Sequence, residues 1–385
     1  MKNRHVLSFF LAVTLLSMTF LMVNIPFVKA IEWSPENQLT TDPLQDFGPA
    51  IMQAGDGTVW VVWSSNRMGY VNYELFYKTS SDYGLNWSLD TRLTEDPFGN
   101  ESDDGSPSIM QANNGTIWVV WSSFRTGDYE LFYKTSSNNG ASWSGETRLT
   151  NDNSWDTSPS IMQAGNGLIW VVWTSDRNGN DDLFYKTYNG ASWSTDILLT
   201  KDSYPDQFPS IMQAGNGIIW VVWSSHKTGD YELFYKTFNG IVWSSPHQLT
   251  YNSDFDTMPS IAEARDGKIW VVWQSGDIAE LYYKTYNGSA WSSDMQLTVN
   301  PASDIDPSIA QIDDKKIWVV WTANRDKDFD IYYKTSSEIA SIPVGGIWIQ
   351  VDKLALLAPY IGLVSAIVLV IVATMVLVKI EKKKR

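Results

Sequence analysis

Apolar residues recur along this chain in a fixed phrase, not at a helical period. The phrase opens Pro-Ser-Ile-Met-Gln-Ala, passes through a Gly/Asn turn, and continues Ile-Trp-Val-Val-Trp. A run that is apolar at every position fits a strand packed on two sides, and the turn before it is a hairpin signal. A third segment follows, such as Glu-Leu-Phe-Tyr-Lys-Thr, and a fourth runs from Trp-Ser to Leu-Thr, as in "WSGETRLT". Copies of the phrase begin at Pro49, Pro107, Pro159, Pro209, Pro259 and Pro307. Each copy therefore predicts four short antiparallel strands, and six such sheets predict an all-β, six-bladed propeller.

The two ends of the array support a closed ring. The sixth copy stops after its third strand, Asp330–Thr335, and the missing phrase, "WSPENQLT" (Trp33–Thr40), stands before the first copy instead. Supplying the last blade's fourth strand from the N-terminal side hides the edges that an open array would expose. Eighteen of the 20 Trp fall at fixed places in this frame, which leaves Trp155 and Trp348 outside it.

Residues 1–30 carry a basic start, an apolar run and a small-residue ending at Ala30, the pattern of a secretory signal cleaved after that residue. Residues 354–378 hold no charge and are long enough to span a bilayer as a helix. The basic tail 379–385 places the cytoplasm on its side, with 338–353 as a linker and the propeller, 31–337, outside the cell. Between residues 31 and 353 stand 20 Lys and Arg against 42 Asp and Glu, a net charge of −22. That field repels nucleic acid and suits cations, a salty exterior or solubility. Cysteine is absent, so disulfides and thiolate chemistry are excluded.

The meander sorts candidate residues onto two rims. The turn between strands three and four of the first copy is "SSDYGLNW", with Ser80, Asp82, Gly84 and Trp87 in the pattern Ser-x-Asp-x-Gly-x-x-Trp. The second copy has Ser136, Asn138, Gly140 and Trp143 there. The acid or amide of such a turn accepts local backbone N–H bonds and the Gly takes a conformation closed to other residues, so the device reads as structural.

On the opposite rim an Asp stands three residues before each strand-one Pro: Asp46, Asp104, Asp156, Asp206, Asp256 and Asp304. Bases occupy the link from strand two to strand three at Arg67, Arg125, Arg177, Lys227 and Arg325. An acid opens every third strand: Glu74, Glu130, Asp182, Glu232, Glu280 and Asp330. Groups repeated in every blade read first as ion pairs and turn caps, because catalysis needs an asymmetric set. The other reading is a multivalent binding surface, since charged bidentate bonds beside aromatic faces suit carbohydrate. The loop from Thr94 to Ser106, with Glu95, Asp96, Glu101, Asp103 and Asp104, offers oxygen ligands for Ca²⁺, but it lacks EF-hand spacing and reads better as a solvated acidic loop. No other cofactor is expected. Asn86, Asn100, Asn114 and Asn287 lie in N-glycosylation sequons.

Over residues 31–337 the repeat, the blade number and the Asp82 turn resemble the sialidase superfamily of Asp-box (BNR-repeat) propellers. That resemblance implies a six-bladed fold and, in its enzymes, an arginine triad, a Tyr–Glu nucleophile pair and an Asp acid/base. The segment "QDFGPAIMQA", where the first triad arginine belongs, contains no arginine. No catalytic residue carries over. The expected function is a membrane-anchored, extracellular binding or adhesion module for glycans or another cell-envelope component. A sialidase-type glycoside hydrolase and a purely structural envelope protein are the alternatives.

Overall fold

The computed structural model describes residues 31–69, 72–95, 103–313, 316–325 and 328–337. The expected signal, linker, membrane helix and tail lie outside them, as does most of the Thr94–Ser106 loop. No helix among the described residues is long and apolar enough to cross a membrane.

Six four-stranded antiparallel sheets follow one another along the chain. In the first, Asp46–Gln53, Val59–Ser65, Glu74–Ser80 and Thr91–Arg92 pair in sequence order. The later blades begin their first strands at Asp104, Asp156, Asp206, Asp256 and Asp304. The fourth strand is shorter than the sequence implies, only two residues in each blade. The sixth sheet takes Asn37–Gln38 as its fourth strand, with Asn37 opposite Tyr333 and Gln38 opposite Tyr332. Trp33 bridges to Ser336, and Leu39 N–H donates to Ile331 O at 2.7 Å. The ring is closed as the sequence predicts.

The core lies between blades. Along strand two of blade 1, Trp60 and Val62 pack with Val119 and Trp121 of blade 2, while Val59, Val61 and Trp63 pack with Trp318 and Val320 of blade 6. This alternation explains why Ile-Trp-Val-Val-Trp is apolar at every position. Burying a Trp side chain on each face of each blade contributes on the order of 25 cal/mol per Å² of apolar area removed from water.

Polar side chains bind neighbouring blades at three heights. On one rim a strand-one Gln or Glu accepts an amide of the preceding blade's turn, as in Gln111 to Gly55 and Gln53 to Asp313, and all six interfaces have this bond. Midway, Ser308 Oγ accepts from Ile51 N–H, a bond repeated at four further interfaces. Between strands, a strand-three Lys reaches the last Leu of the preceding blade: Lys78 to Leu39 O and Lys134 to Leu93 O at 3.0 and 2.8 Å. The same bond recurs in every blade.

The Asp-box turn serves the same interfaces. Asp82 accepts from the Asn86 amide N–H at 2.8 Å, and Ser80 Oγ accepts from Gly84 N–H at 2.8 Å. Ser136 and Asn138 repeat these bonds to Gly140 and Ser142. Gly84 has φ +80°, and a Cβ there would collide with the Trp318 ring of blade 6; Gly140 stands likewise against Trp60. Trp87 and Trp143 pack edge-on to those same rings. These turns lock one blade to the previous one.

Candidate functional site

The repeated acids and bases gather on one rim, and most are occupied with one another inside the blades. Arg67 donates to both oxygens of Asp46 at 3.0 Å and through Nε to Ser65 Oγ at 2.9 Å. Arg125 does the same to Asp104 and Ser123, and Arg177 to Asp156 and Ser175. Arg325 lies 2.8 Å from Asp304. The guanidinium planes of Arg67, Arg125 and Arg177 lie over Phe76, Phe132 and Phe184, with Trp63, Trp121 and Trp173 beside them. Strand four contributes a third charge that sequence reading passed over: Asp90, Glu146, Asp196 and Glu36 each take both the Arg and the strand-three Lys of their blade. Asp256 lies in a blade without the base and receives Asn252 Nδ2 at 2.7 Å instead.

The acids that open strand three are also paired, and all but the half-buried Glu280 are buried. Thr94, Thr150, Thr250, Thr298 and Thr40 donate to Glu74, Glu130, Glu232, Glu280 and Asp330 respectively. Each Thr Oγ1 also accepts a strand-three N–H, so the Leu-Thr that ends each phrase is a clasp for its blade. Asp182 receives Asn178 Nδ2 at 3.1 Å. Burial raises Glu232 to about 7 and Asp330 to about 6.

One surface that stays open is the mouth of the central channel, a funnel of about 570 Å³ lined by the first strands of all six blades. Its shape comes from an irregularity repeated in every first strand. The residue before each Pro lies in the left-handed region, and the strand register shifts there. A bulge of this kind re-aims side chains. The six positions are Gly48, Ser106, Ser158, Phe208, Met258 and Asp306, with φ between 50° and 57°. A neighbouring blade holds most of these bulges: Thr322, Ser122, Thr174 and Ser224 hydroxyls accept from the amides of residues 48, 158, 208 and 258, and Gln274 from Asp306.

The funnel is asymmetric. On the side of blades 1, 2 and 6, Phe47 packs against Tyr73 and Phe329, with ring centroids 6.0 and 4.6 Å apart. Tyr129 continues this arc and meets the exposed Trp155, one of the two tryptophans outside the repeat, at 5.6 Å. Asp103 accepts from Tyr73 N–H at 3.3 Å, and burial together with the Asp103 charge raises both Tyr73 and Tyr129 above the ordinary phenol range. Asp306 stands among the blade-6 residues of the wall, its carboxyl raised to about 6 by burial. No Lys, Arg or His is among the described residues lining the funnel.

The candidate Ca²⁺ loop is covered only at its ends, where Asp103 faces the tyrosines and Asp104 holds Arg125. Among the described residues no group of three or more His, Asp or Glu is arranged to hold a metal ion.

Comparison with known proteins accounts for this architecture. A family model described as a BNR repeat-like domain matches residues 21–271. The chain belongs to this BNR repeat-like family. A search of curated proteins finds no match. Among solved structures, a Dyadobacter fermentans protein of unknown function superposes with a TM-score of 0.69 at 12% identity, over 81% of this chain and 100% of that one. The α-L-arabinofuranosidase of Fusarium graminearum superposes at 0.63 with 14% identity, over 76% and 93% of the two chains. The NanB sialidase of Streptococcus pneumoniae gives 0.62 at 10% identity, over 80% and 71%. The fold is that of the sialidase-like propellers.

Proposed function

We propose that this BNR-repeat propeller is a glycan-binding module whose recognition site is the mouth of the central channel. One observation carries the reading: the funnel joins an aromatic arc, Phe47, Tyr73 and Tyr129, to serine hydroxyls and the carboxylates of Asp103 and Asp306. Aromatic faces stack on the apolar face of a sugar ring, and carboxylates accept hydrogen bonds from its hydroxyls. With no base among the described lining residues, a sugar carboxylate finds no partner there, so neutral or amino-bearing glycans fit better than sialosides. The repeated Asp and Arg residues support this surface from behind by fixing the strand ends. In this reading residues 354–378 anchor the propeller at the outer face of the cell membrane, with the basic tail in the cytoplasm.

A glycan array probed with the detergent-solubilised chain tests the proposal. Neutral or amino-sugar glycans are expected to be retained, and Tyr129→Ala with Tyr73→Ala to weaken them by at least about tenfold, equivalent to about 1.4 kcal/mol. Failure to retain any glycan, or retention of sialosides that the tyrosine changes do not touch, would refute it.

Hydrolysis is the second reading, and Asp306 favours it. Burial raises the Asp306 carboxyl to about 6, so roughly a tenth stays protonated at pH 7 and more below it, the direction a general acid requires. Two fold neighbours are named as an α-L-arabinofuranosidase and a sialidase. Release of fluorophore from an arabinofuranoside or sialoside, abolished by Asp306→Asn, would establish it over simple binding.

A further inference from the structure

Because the blades repeat, each serves as a reference for its neighbours. In blades 1 to 3 one guanidinium fills the same space. It lies between the strand-one Asp and the strand-four acid, with Nε on a strand-two Ser and its plane over a Trp and a Phe. The strand-four acid also takes the strand-three ammonium, at 2.7 Å for Lys78–Asp90 and 2.6 Å for Lys186–Asp196. Blade 5 has no base in its second link yet keeps the second of these pairs, Lys284–Asp294 at 2.6 Å.

Blade 4 departs at both members together. Lys227 replaces the arginine and turns out to Asp202 at 3.1 Å, half exposed. Pro246 replaces the strand-four acid. The result is a cavity of about 320 Å³ walled by Asp206, Ser225, Lys236 and Pro246, with Lys201, Asp202 and Lys227 also among its lining residues. That volume is at the lower end of small-ligand sites.

The rest of the cradle is retained. Asp206 is 2% exposed; Trp223 Nε1 donates to it at 2.9 Å, but no Arg or Lys among the described residues forms a direct salt bridge with it. Ser225 is 1% exposed and hydrogen-bonds to Asp206, but its Oγ accepts no hydrogen bond from a described residue, whereas Ser65, Ser123 and Ser175 each accept an arginine Nε. Lys236 Nζ reaches Leu199 O at 2.8 Å and forms no direct salt bridge with a described carboxylate, unlike its five counterparts, although the Asp206 charge favours its protonated form. Burial shifts both charges toward neutrality, Asp206 up to about 6 and Lys236 downward. Asp206 thus lacks the sibling guanidinium and Lys236 the sibling strand-four acid, while the Lys227–Asp202 pair stands in the same lining.

We propose that the blade-4 cavity binds a small zwitterion of the amino-acid class, its cationic nitrogen on Asp206 and Ser225 and its carboxylate on Lys236. A lone cation would sit against Lys236 without the carboxylate that separates the two positive groups elsewhere, and a lone anion would face Asp206. In blade 3 the guanidinium and the strand-four carboxylate touch at 2.8 Å. The ligand's two charges must therefore be adjacent, as they are in an α-amino acid.

Calorimetric titration of the full chain in detergent tests the site, with glycine and L-arginine as zwitterionic probes and methylammonium and acetate as single-ion probes. At least one zwitterion is expected to saturate one site per chain, and the single ions to bind at least about tenfold more weakly. The double variant K227R/P246D rebuilds the sibling pair inside the cavity. It should melt no lower than the unsubstituted chain and lose zwitterion binding by at least about tenfold. Equal binding to the double variant, equal binding of the single ions, or no saturable binding of either zwitterion would overturn the assignment. None of these outcomes bears on glycan retention at the funnel, which the tyrosine variants read separately.

Discussion

At the residue scale the informative positions are those where the repeat stops repeating. Before each strand-one Pro the chain holds Gly48, Ser106, Ser158, Phe208, Met258 and Asp306, six copies with five residue types in a phrase that is otherwise nearly constant. Only Asp306 brings an ionisable group to this ring. Its carboxyl is raised to about 6 by burial, against about 3.9 in an unfolded chain. The folded protein therefore holds this proton more tightly than the unfolded one. The associated stability is complete below about pH 4 and is lost as pH rises through about 6. Asp206, Asp330 and Glu232 are shifted the same way, so the melting temperature should be higher at pH 5 than at pH 7.5. Asp306→Asn should raise the pH 7.5 value and reduce the difference. A melting temperature that climbs from pH 5 to pH 7.5 would contradict this account. The funnel itself was not legible in the sequence, because a bulge before proline has no residue signature. What the sequence did offer was variation at one place in six copies, together with a tryptophan, Trp155, outside the frame.

At the element scale, the repeated Asp and Arg residues meet at the strand ends, where in four blades they pair with one another. Sequence alone could not show that the strand-four acid and the strand-three lysine complete the network, since Asp90 and Lys78 meet only through the strand register. The network makes unequal claims on its members. Arg177 holds Asp152, Asp156 and Asp196, and Asp156 is fully buried. Arg177→Ala strands that carboxylate and should cost about 3–5 kcal/mol in chemical denaturation. Lys227 is partly exposed and, among the described residues, its salt bridge is to the half-buried Asp202, so Lys227→Ala should stay within about 0–1 kcal/mol. Equal losses in the two variants would mean that the guanidinium is no more than a surface charge.

For the whole molecule the question is whether closure of the ring stabilises every blade or only its own seam. The seam was legible, because a phrase missing at one end of the array stands at the other. Its chemistry is the same clasp found inside the chain: Thr40 donates to Asp330 and accepts from Ile331 N–H at 2.9 Å, as Thr150 serves Glu130 and Leu131. Replacing either hydroxyl by Val leaves a buried carboxylate and a buried amide short of one partner, about 1–3 kcal/mol in each case. The two differ in chain connection, since residues 40 and 331 are joined only through the ring. If six interlocked interfaces unfold together, Thr40→Val and Thr150→Val should lower the single global transition by similar amounts. If the seam opens independently, Thr40→Val should leave that transition in place. Amide exchange would then rise only along Ile331–Thr335, where a released strand edge faces solvent. The Trp, Ser and Gln contacts that join blade 6 to blade 1 favour the first outcome, because losing the seam strand also exposes Leu39 from the core that those two blades share.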